Sequence, residues 1–314
     1  MTHDWLTGAI DLHRHGYPEI SLAARTGLDD LSDLRLCGEA GMAGAVLKSH
    51  LWPTVGRTHL LNEMLDDVEV FGSITLNHAV GGLRPDMVEA AALQGARVLW
   101  LPTWSSANDI ERGGFTTTLR RYVPQARPAD PEPIHLLDHR GTLRPEVIEC
   151  LDVASQYGML VFSGHVSPEE AVAVAESGRT DGRFVFSHPD SNSVAAGPDA
   201  VHRVVEAGGY IEITALGTRP EIARVSPAEL ADVVRAHGAE HCVVSSDFFF
   251  EWAPPSSRML ADLCAGLSAA GLADADIRRM TTTNPRALLG LAPVGPDTDN
   301  SDGARPREKV EEER

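Results

Sequence analysis

Positive charge is scarce in this 314-residue sequence: 27 lysines and arginines stand against 45 aspartates and glutamates, a formal net charge of −18 at pH 7. Nucleic-acid binding needs a basic footprint, so the balance argues against it, and it disfavours anionic membrane surfaces too. A local cationic pocket for an acidic substrate is compatible with the total. Cysteine is also rare. Cys37, Cys150, Cys242 and Cys264 show no CxxC or other zinc spacing. Cys37 and Cys150 fall in helical patterns and Cys242 opens an apolar strand, so reduced, buried thiols fit better than a disulfide framework. No apolar run is long enough to span a bilayer. Met1 to Asp11 lacks the basic-then-apolar pattern of a secretory leader, and a cytoplasmic protein is expected. No GxGxxG follows the first strand, which weakens a dinucleotide-binding reading.

What the chain does contain is a rhythm. Short apolar runs lie at Gly8–Leu12, Ala43–Leu47, Val70–Leu76, Ala96–Leu101, Met159–Phe162, Arg183–Phe186, Gly209–Ile213 and His241–Val244. They are rich in Val, Ile, Leu and Phe without strict alternation, as strands covered by helices on the outside should be. Helical patterns separate them: Leu31–Gly41, Pro85–Gly95, Pro145–Gly158, Ser167–Gly178, Pro198–Gly208, Ser226–Gly238 and Ser256–Gly271, with a short Asn284–Leu289 at the end. Several open on Pro and close on Gly. Ser167 with Glu170 forms a capping-box signature. Eight β-α alternations in one domain predict an α/β fold, a (β/α)8 TIM barrel spanning residues 1–292. Residues 293–314, PVGPDTDNSDGARPREKVEEER, offer almost nothing to bury and read as a disordered acidic tail. Thr103–Leu143 breaks the rhythm; over a barrel mouth it would serve as a lid or subunit contact.

Barrel active sites gather at the C-terminal strand ends. There the sequence places His13 and His15, Lys48 and His50, Asn77 and His78, Thr103 and Trp104, His165, His188, Glu212 and Thr214, and Asp247. A lone His in such a place is usually a hydrogen-bonded structural group. His, Lys or Asp at six of eight strand ends is different, because such groups tolerate apolar surroundings only with partners, and one divalent cation would satisfy them together. Alternation on a strand puts His13 and His15 on one side with Arg14 on the other. Asp11 falls on the same side one step deeper, where it could orient a ligand His. His135, His139, His202, His237 and His241 lie outside the strand-end set and are read as surface or structural.

HxH on strand 1, His on strands 5 and 6, and Asp on strand 8 resemble the pattern of the amidohydrolase superfamily, carried here by His13, His15, His165, His188 and Asp247. The segments GAVLKSH, GARVLWLPT, SGHVSPEE and TTTNPRALLGL also resemble a poorly characterised amidohydrolase-like family. The resemblance implies a barrel that binds one or two divalent ions, Zn2+ first and Mn2+ or Fe2+ as alternatives, held by those five residues with Lys48. It departs from binuclear members at strand 4, where ARVLWLPT carries neither the bridging Lys nor Glu. Lys48 could substitute as a carbamate, or hold a substrate carboxylate or carbonyl without modification, and a mononuclear site would leave His188 free for catalysis.

The chemistry implied is hydrolysis of a C–N or C–O bond in a small molecule, an amide, cyclic amide, imine or lactone, by metal-activated water. Asp247 would move the proton, and His188 or Lys48 would stabilise the oxyanion. His50, His78, Trp104 and Glu212 are candidates to line the substrate pocket. Glu212 could also pair with Lys48 or orient a His. A decarboxylase or C–C bond lyase of the same superfamily is the alternative, told apart by release of CO2 or bicarbonate. A non-catalytic binding barrel is a further one. A histidinol-phosphatase-like phosphoesterase would need a second Asp-x-His near the C-terminus, which is missing. Barrels of this class often dimerise, which leaves a homodimer open.

Overall fold

Runs of Val, Ile, Leu and Phe too short to bury both faces alone must pair side by side and take helices on their outer surface. In the computed structural model, which describes residues 4–113 and 132–293, they do so in chain order. The strands are β1 (Ile10–His15), β2 (Gly44–Lys48), β3 (Glu69–Thr75), β4 (Ala96–Trp100), β5 (Leu160–Phe162), β6 (Phe184–Phe186), β7 (Tyr210–Thr214) and β8 (Cys242–Ser245). All pairings are parallel and the order is β1 through β8 without a crossover. This is the expected (β/α)8 barrel. The expected tail lies outside the described residues except for Pro293, as does the central part of the long segment after β4. Among the described residues no helix is long and apolar enough to cross a membrane.

The Pro-in, Gly-out grammar marks the helices Pro85–Leu93, Pro145–Gln156, Pro168–Glu176, Pro198–Glu206 and Pro227–His237. Ser167 with Glu170, and Ser226 with Glu229, close reciprocal capping boxes, each worth about 1 kcal/mol. Helix Val55–Met64 carries no such sign: it has no side-chain cap and buries only Val55, Thr58 and Leu61. Helix Ala107–Arg112 hides in the segment read as a lid or subunit contact.

Alternate strand residues divide the core. Val98, Trp100, Leu160, Phe162, Val185 and Val243 pack with Ile10, Leu12, Val46 and Phe71 inside the barrel, with Leu288 and Leu289 of the terminal helix. The intervening residues, such as Leu99 and Val161, pack outward with the helices. Tyr210 touches the inner cluster. Two residues along the same faces from Val46 and Tyr210 come Lys48 and Glu212, which places these two polar side chains on top of an apolar plug.

Strand β1 breaks its own alternation. Asp11 pairs with Ala45 and Arg14 with Leu47, so β1 carries one residue more than β2 over this step. Such a bulge re-aims the side chains beyond it. Leu12 belongs to the inner cluster, yet the ring of the next residue, His13, also lies inside, 4.5 Å from Trp100. Arg14 is turned outward and fully buried, its Nε donating to Asp33 at 3.1 Å and Nη1 to Asp30 at 3.3 Å. The barrel closes just past the end of β8: the Asp247 N–H donates to the His13 carbonyl (2.8 Å) and the His15 N–H to that of Phe248 (2.9 Å).

Candidate metal centre

The bulge sends His13 and His15 to the mouth, and three strand-end loops bring the remaining groups. Ser163-Gly164-His165 follows β5. Gly164 has φ of +64°, and a Cβ there would sit 2.4 Å from the Leu101 carbonyl oxygen, so the turn that presents His165 requires glycine. His188 after β6 and Asp247 after β8 take φ of +26° and +49°. Positive φ is uncommon in non-glycine residues, and such backbone gathers at functional sites.

Hydrogen bonds at Nδ1 set the rings. His13 Nδ1 faces Glu212 Oε1 at 2.9 Å, His165 Nδ1 faces Asp109 Oδ1 at 3.0 Å, and His188 Nδ1 faces the Ser191 hydroxyl at 3.0 Å. The carboxylate contacts of His13 and His165 hold the proton on Nδ1 and leave Nε2 as a lone-pair donor, the arrangement that second partners impose on metal-ligating histidines, while the Ser191 hydroxyl, able to donate or accept, positions the His188 ring. Glu212 does this twice, since its Oε2 also accepts the His188 backbone N–H at 3.1 Å. Around His13 Nε2 stand Lys48 Nζ at 3.0 Å, Asp247 Oδ1 at 3.1 Å and His15 Nε2 at 3.3 Å. Ligand atoms of His13, His188 and Asp247 lie within 4.8 Å of one another, and so do those of a second trio, His15, Glu19 and His50.

Burial governs the electrostatics. It is the largest cause holding His13, His15 and His188 well below the usual imidazole range, with the Lys48 ammonium next among the charges on His13 and His15. The rings are therefore neutral, as ligation requires. Burial also raises Asp247 to about 7, against the pull of Lys48 and Arg224. Glu212 is raised by burial and by Asp247. Lys48 is lowered to about 8 by burial, opposed by Asp247, Glu212 and Glu19, and its Nζ sits 4.1 Å over the Trp100 ring. Buried neutral imidazoles beside carboxylates, with His15 Nδ1 and Glu19 Oε2 left without hydrogen-bond partners, form a donor set suited to a divalent ion of the Zn2+ kind.

The structure thus brings together His13, His15, Lys48, His188, Glu212 and Asp247, with His165 beside them, its ring 5.2 Å from that of His188. Glu212 serves His13, not Lys48, as its hydrogen-bond partner. His50 is stacked between His15 (4.6 Å) and Trp104 (4.2 Å), with Nδ1 on the Thr103 hydroxyl at 2.8 Å. His78 sits on the loop after β3, its Nε2 at 3.0 Å from the Glu132 carbonyl and its N–H on Ser105. Asp11 orients no ring: its Oδ1 accepts the backbone N–H of His13 (3.1 Å) and Ser246 (3.0 Å), because the bulge removes it from the face assumed for an unbroken strand. Sequence reasoning missed Glu19, Asp109 and Ser191. Glu19 is four residues past His15 in an irregular loop. Asp109 lies on the short helix after β4, and no spacing announced it.

A family model described as a family of unknown function, DUF6282, matches residues 8–212, and the chain belongs to that family. A search of curated proteins gives no match. Among solved structures, an amidohydrolase from Pseudomonas aeruginosa is similar with a TM-score of 0.62 at 10% identity, over 91% of this chain and 96% of that one. A probable dipeptidase, PvdM, from Pseudomonas aeruginosa gives 0.58 at 15% identity over 92% and 96%. A 2,6-dihydroxybenzoate decarboxylase from Rhizobium gives 0.53 at 13% identity over 90% and 99%. These likenesses show a shared barrel fold.

Proposed function

We propose that this DUF6282 member is a metal-dependent hydrolase that adds water across a C–N or C–O bond of a small molecule, an amide, cyclic amide, imine or lactone. The observation that carries the reading is the set of anchored rings: Nδ1 of His13, His165 and His188 is held in a hydrogen bond, and the Nε2 of His13 lies within 3.3 Å of Asp247, Lys48 and His15. His13, His188 and Asp247 would hold the ion, with His15 and His165 at its border. A divalent ion there supplies Lewis acidity, polarising a carbonyl and bringing the ionisation of water toward neutrality.

The side chains supply the rest. Asp247 keeps an exposed edge, its side chain 18% accessible, and its raised proton affinity suits it to take a proton from water and return it to the leaving group. Lys48 would stabilise the negative charge that develops on the substrate oxygen. Trp100 fills the barrel at β4, stacked 4.0 Å from Phe162. Trp104 and His50, stacked 4.2 Å apart, would form one wall of the substrate space. The fold comparison is in keeping with this class, since an amidohydrolase shares the barrel. Four buried free cysteines suit a reducing, cytoplasmic setting. A small-molecule substrate and a homodimer belong to the same proposal.

A second reading, decarboxylation, is favoured by the face-to-face stack of His15, His50 and Trp104, which suits a planar acid, and by the decarboxylase that shares the fold. The test is elemental analysis together with turnover of an amide, lactone and aromatic-acid panel in 18O-labelled water. Wild type should hold metal and place label in the product, and His13→Ala should lose metal and activity together. Metal retained by His13→Ala overturns the site assignment. Released CO2 selects the second reading, and full metal without turnover selects a binding barrel.

A further inference from the structure

The loop after β7 brings to the barrel mouth a cation that the metal centre does not use. The loop starts on the end of β8: the Ala215 N–H donates to the Ser245 carbonyl (2.9 Å) and the Leu216 N–H to that of Ser246 (3.1 Å), the residue before Asp247. The chain then folds back, and the Arg224 N–H donates to the Gly217 carbonyl at 3.1 Å. The Arg224 guanidinium lies against Gly217 itself, where a Cβ would sit 2.5 Å from Nη2 and 3.2 Å from Cζ. Gly217 does not have a positive φ, so what its missing side chain provides is clearance for the Arg224 head. Asp190 holds that head, its Oδ2 accepting Nε at 3.0 Å and Nη2 at 2.7 Å. Asp190 stands between His188 and Ser191, whose hydroxyl holds the His188 ring, so the cation is fastened to the loop that carries a metal-centre residue. Nε and Nη2 form the lateral edge of the guanidinium. The terminal edge is left over, and its Nη1 has no hydrogen bond among the described residues. Two donors in one rigid plane match the two oxygens of a carboxylate. The Arg224 side chain is 18% accessible, held but open. Burial dominates the proton affinities of Asp247 and His188, and Arg224 is among the charges that lower both, which puts it within electrostatic range of the two. Arg219, on the same loop, is spent on Asp262 at 3.2 Å.

We propose that the terminal edge of Arg224 binds a carboxylate carried by the substrate, so that the substrates are small acids anchored on the β6–β7 side of the mouth with the reacting bond toward Asp247. Asp190 is a positioning residue that aims the fork. A dianion such as phosphate fits less well, because Asp190 already neutralises the head and Asp247 stands within range of it. In a chain of net charge −18, a fixed guanidinium beside the site is the local feature that lets an acid approach. The inference deepens the hydrolase reading and rests on it for the reacting end of the substrate alone.

The experiment is binding of matched pairs. Benzoate against benzamide, and N-acetylglycine against N-acetylglycinamide, are titrated by calorimetry into the protein as purified, and again after metal stripping, where no ion can stand in for the guanidinium. Inorganic phosphate is a further probe. The variants are Arg224→Gln, Arg224→Lys and Gly217→Ala, the last of which keeps the arginine and pushes its head aside. Circular dichroism checks each fold, elemental analysis checks each metal content, and Gly217→Ala decides if Arg224→Gln fails to fold. The expected result is an acid bound at least about tenfold tighter than its amide by wild type, a preference that drops below about threefold in Arg224→Gln and Gly217→Ala and stays between the two in Arg224→Lys, as loss of a charge-assisted pair of hydrogen bonds requires. Metal content should not change. Acid and amide bound alike by wild type, no acid bound at all, or a preference that survives Arg224→Gln overturns the inference. So does phosphate bound as tightly as the acids. A wild type that prefers the acids but holds no metal overturns the metal-centre reading and leaves this one standing.

Discussion

Glu212→Gln separates holding a metal from holding the fold. Glu212 accepts from His13 Nδ1 at 2.9 Å and from the His188 backbone N–H at 3.1 Å, one bond to each oxygen. A glutamine keeps a single acceptor, so one contact must fail and an amide NH2 must face a donor. Losing a hydrogen bond to a charged group costs about 1.5–3 kcal/mol. Loss of a partner that orients a ligand His typically weakens metal binding about 10–100-fold, which is about 1.4–2.7 kcal/mol, so the two routes agree. In the metal-free protein the change is milder, because burial and Asp247 raise the proton affinity of Glu212 and weaken the charge on which those two bonds depend. Ion binding favours the ionised form of Glu212, so the wild-type affinity should rise more steeply with pH than that of the variant. Competitive titration against a chelator between pH 6 and 8, beside thermal melts with and without metal, measures all three quantities. The reasoning is refuted if the affinity stays within twofold of wild type, or if the metal-free variant loses as much stability as the metal-bound one.

Two further perturbations test how the site is mounted. Gly164→Ala would set a Cβ 2.4 Å from the Leu101 oxygen and 2.8 Å from that of Pro102 at a φ of +64°. It should cost about 1–3 kcal/mol in urea denaturation and weaken metal binding by displacing His165; no change in either would show that the turn can give. Asp11 titrates near 3.8 when unfolded, and burial raises it to about 6 in the fold. The native state therefore holds more protons between those values, and stability falls as pH rises through that window by up to about 3 kcal/mol. Urea midpoints of metal-free wild type should drop over this range while those of Asp11→Asn stay flatter; parallel curves would remove Asp11 as the cause.

The strands were legible because each is a short apolar run bounded by turn residues, and most helices because Pro, Ser and Gly mark their ends. Val55–Met64 was not, since its helix is held by β3 packing more than by capping or a strong apolar stripe. For the candidate site, reading strand ends located the groups but not their mutual roles. The parity rule placed Asp11 with His13, and a one-residue bulge cancelled it. Asp109 reaches His165 from 56 residues away, a separation that no local pattern encodes. Glu19 was passed over because a lone carboxylate in an irregular loop has no period. Its significance comes from its burial and from the oxygen left bare beside His15.

The seam shows why the chemistry is where it is. β1 and β8 meet through few backbone bonds, and these fall on the residues that carry donors: Asp247 N–H on His13, and His15 N–H on Phe248. Asp11 ties the same two segments from beneath through His13 and Ser246, and the Ser246 hydroxyl donates to the His13 carbonyl at 3.2 Å. Closing the barrel and gathering His13, His15 and Asp247 are consequently one event. The strained backbone of Asp247 is held in place by bonds that also shut the barrel, so the strain need not be compensated by the ion alone. An ion that binds only the closed form in turn stabilises the seam by mass action, in proportion to the logarithm of its concentration over its dissociation constant. The extra residue in β1 is what makes this arrangement possible: without it His13 and His15 would face the helices in place of Arg14, and the donors would stand on the wrong side of the wall they help to close.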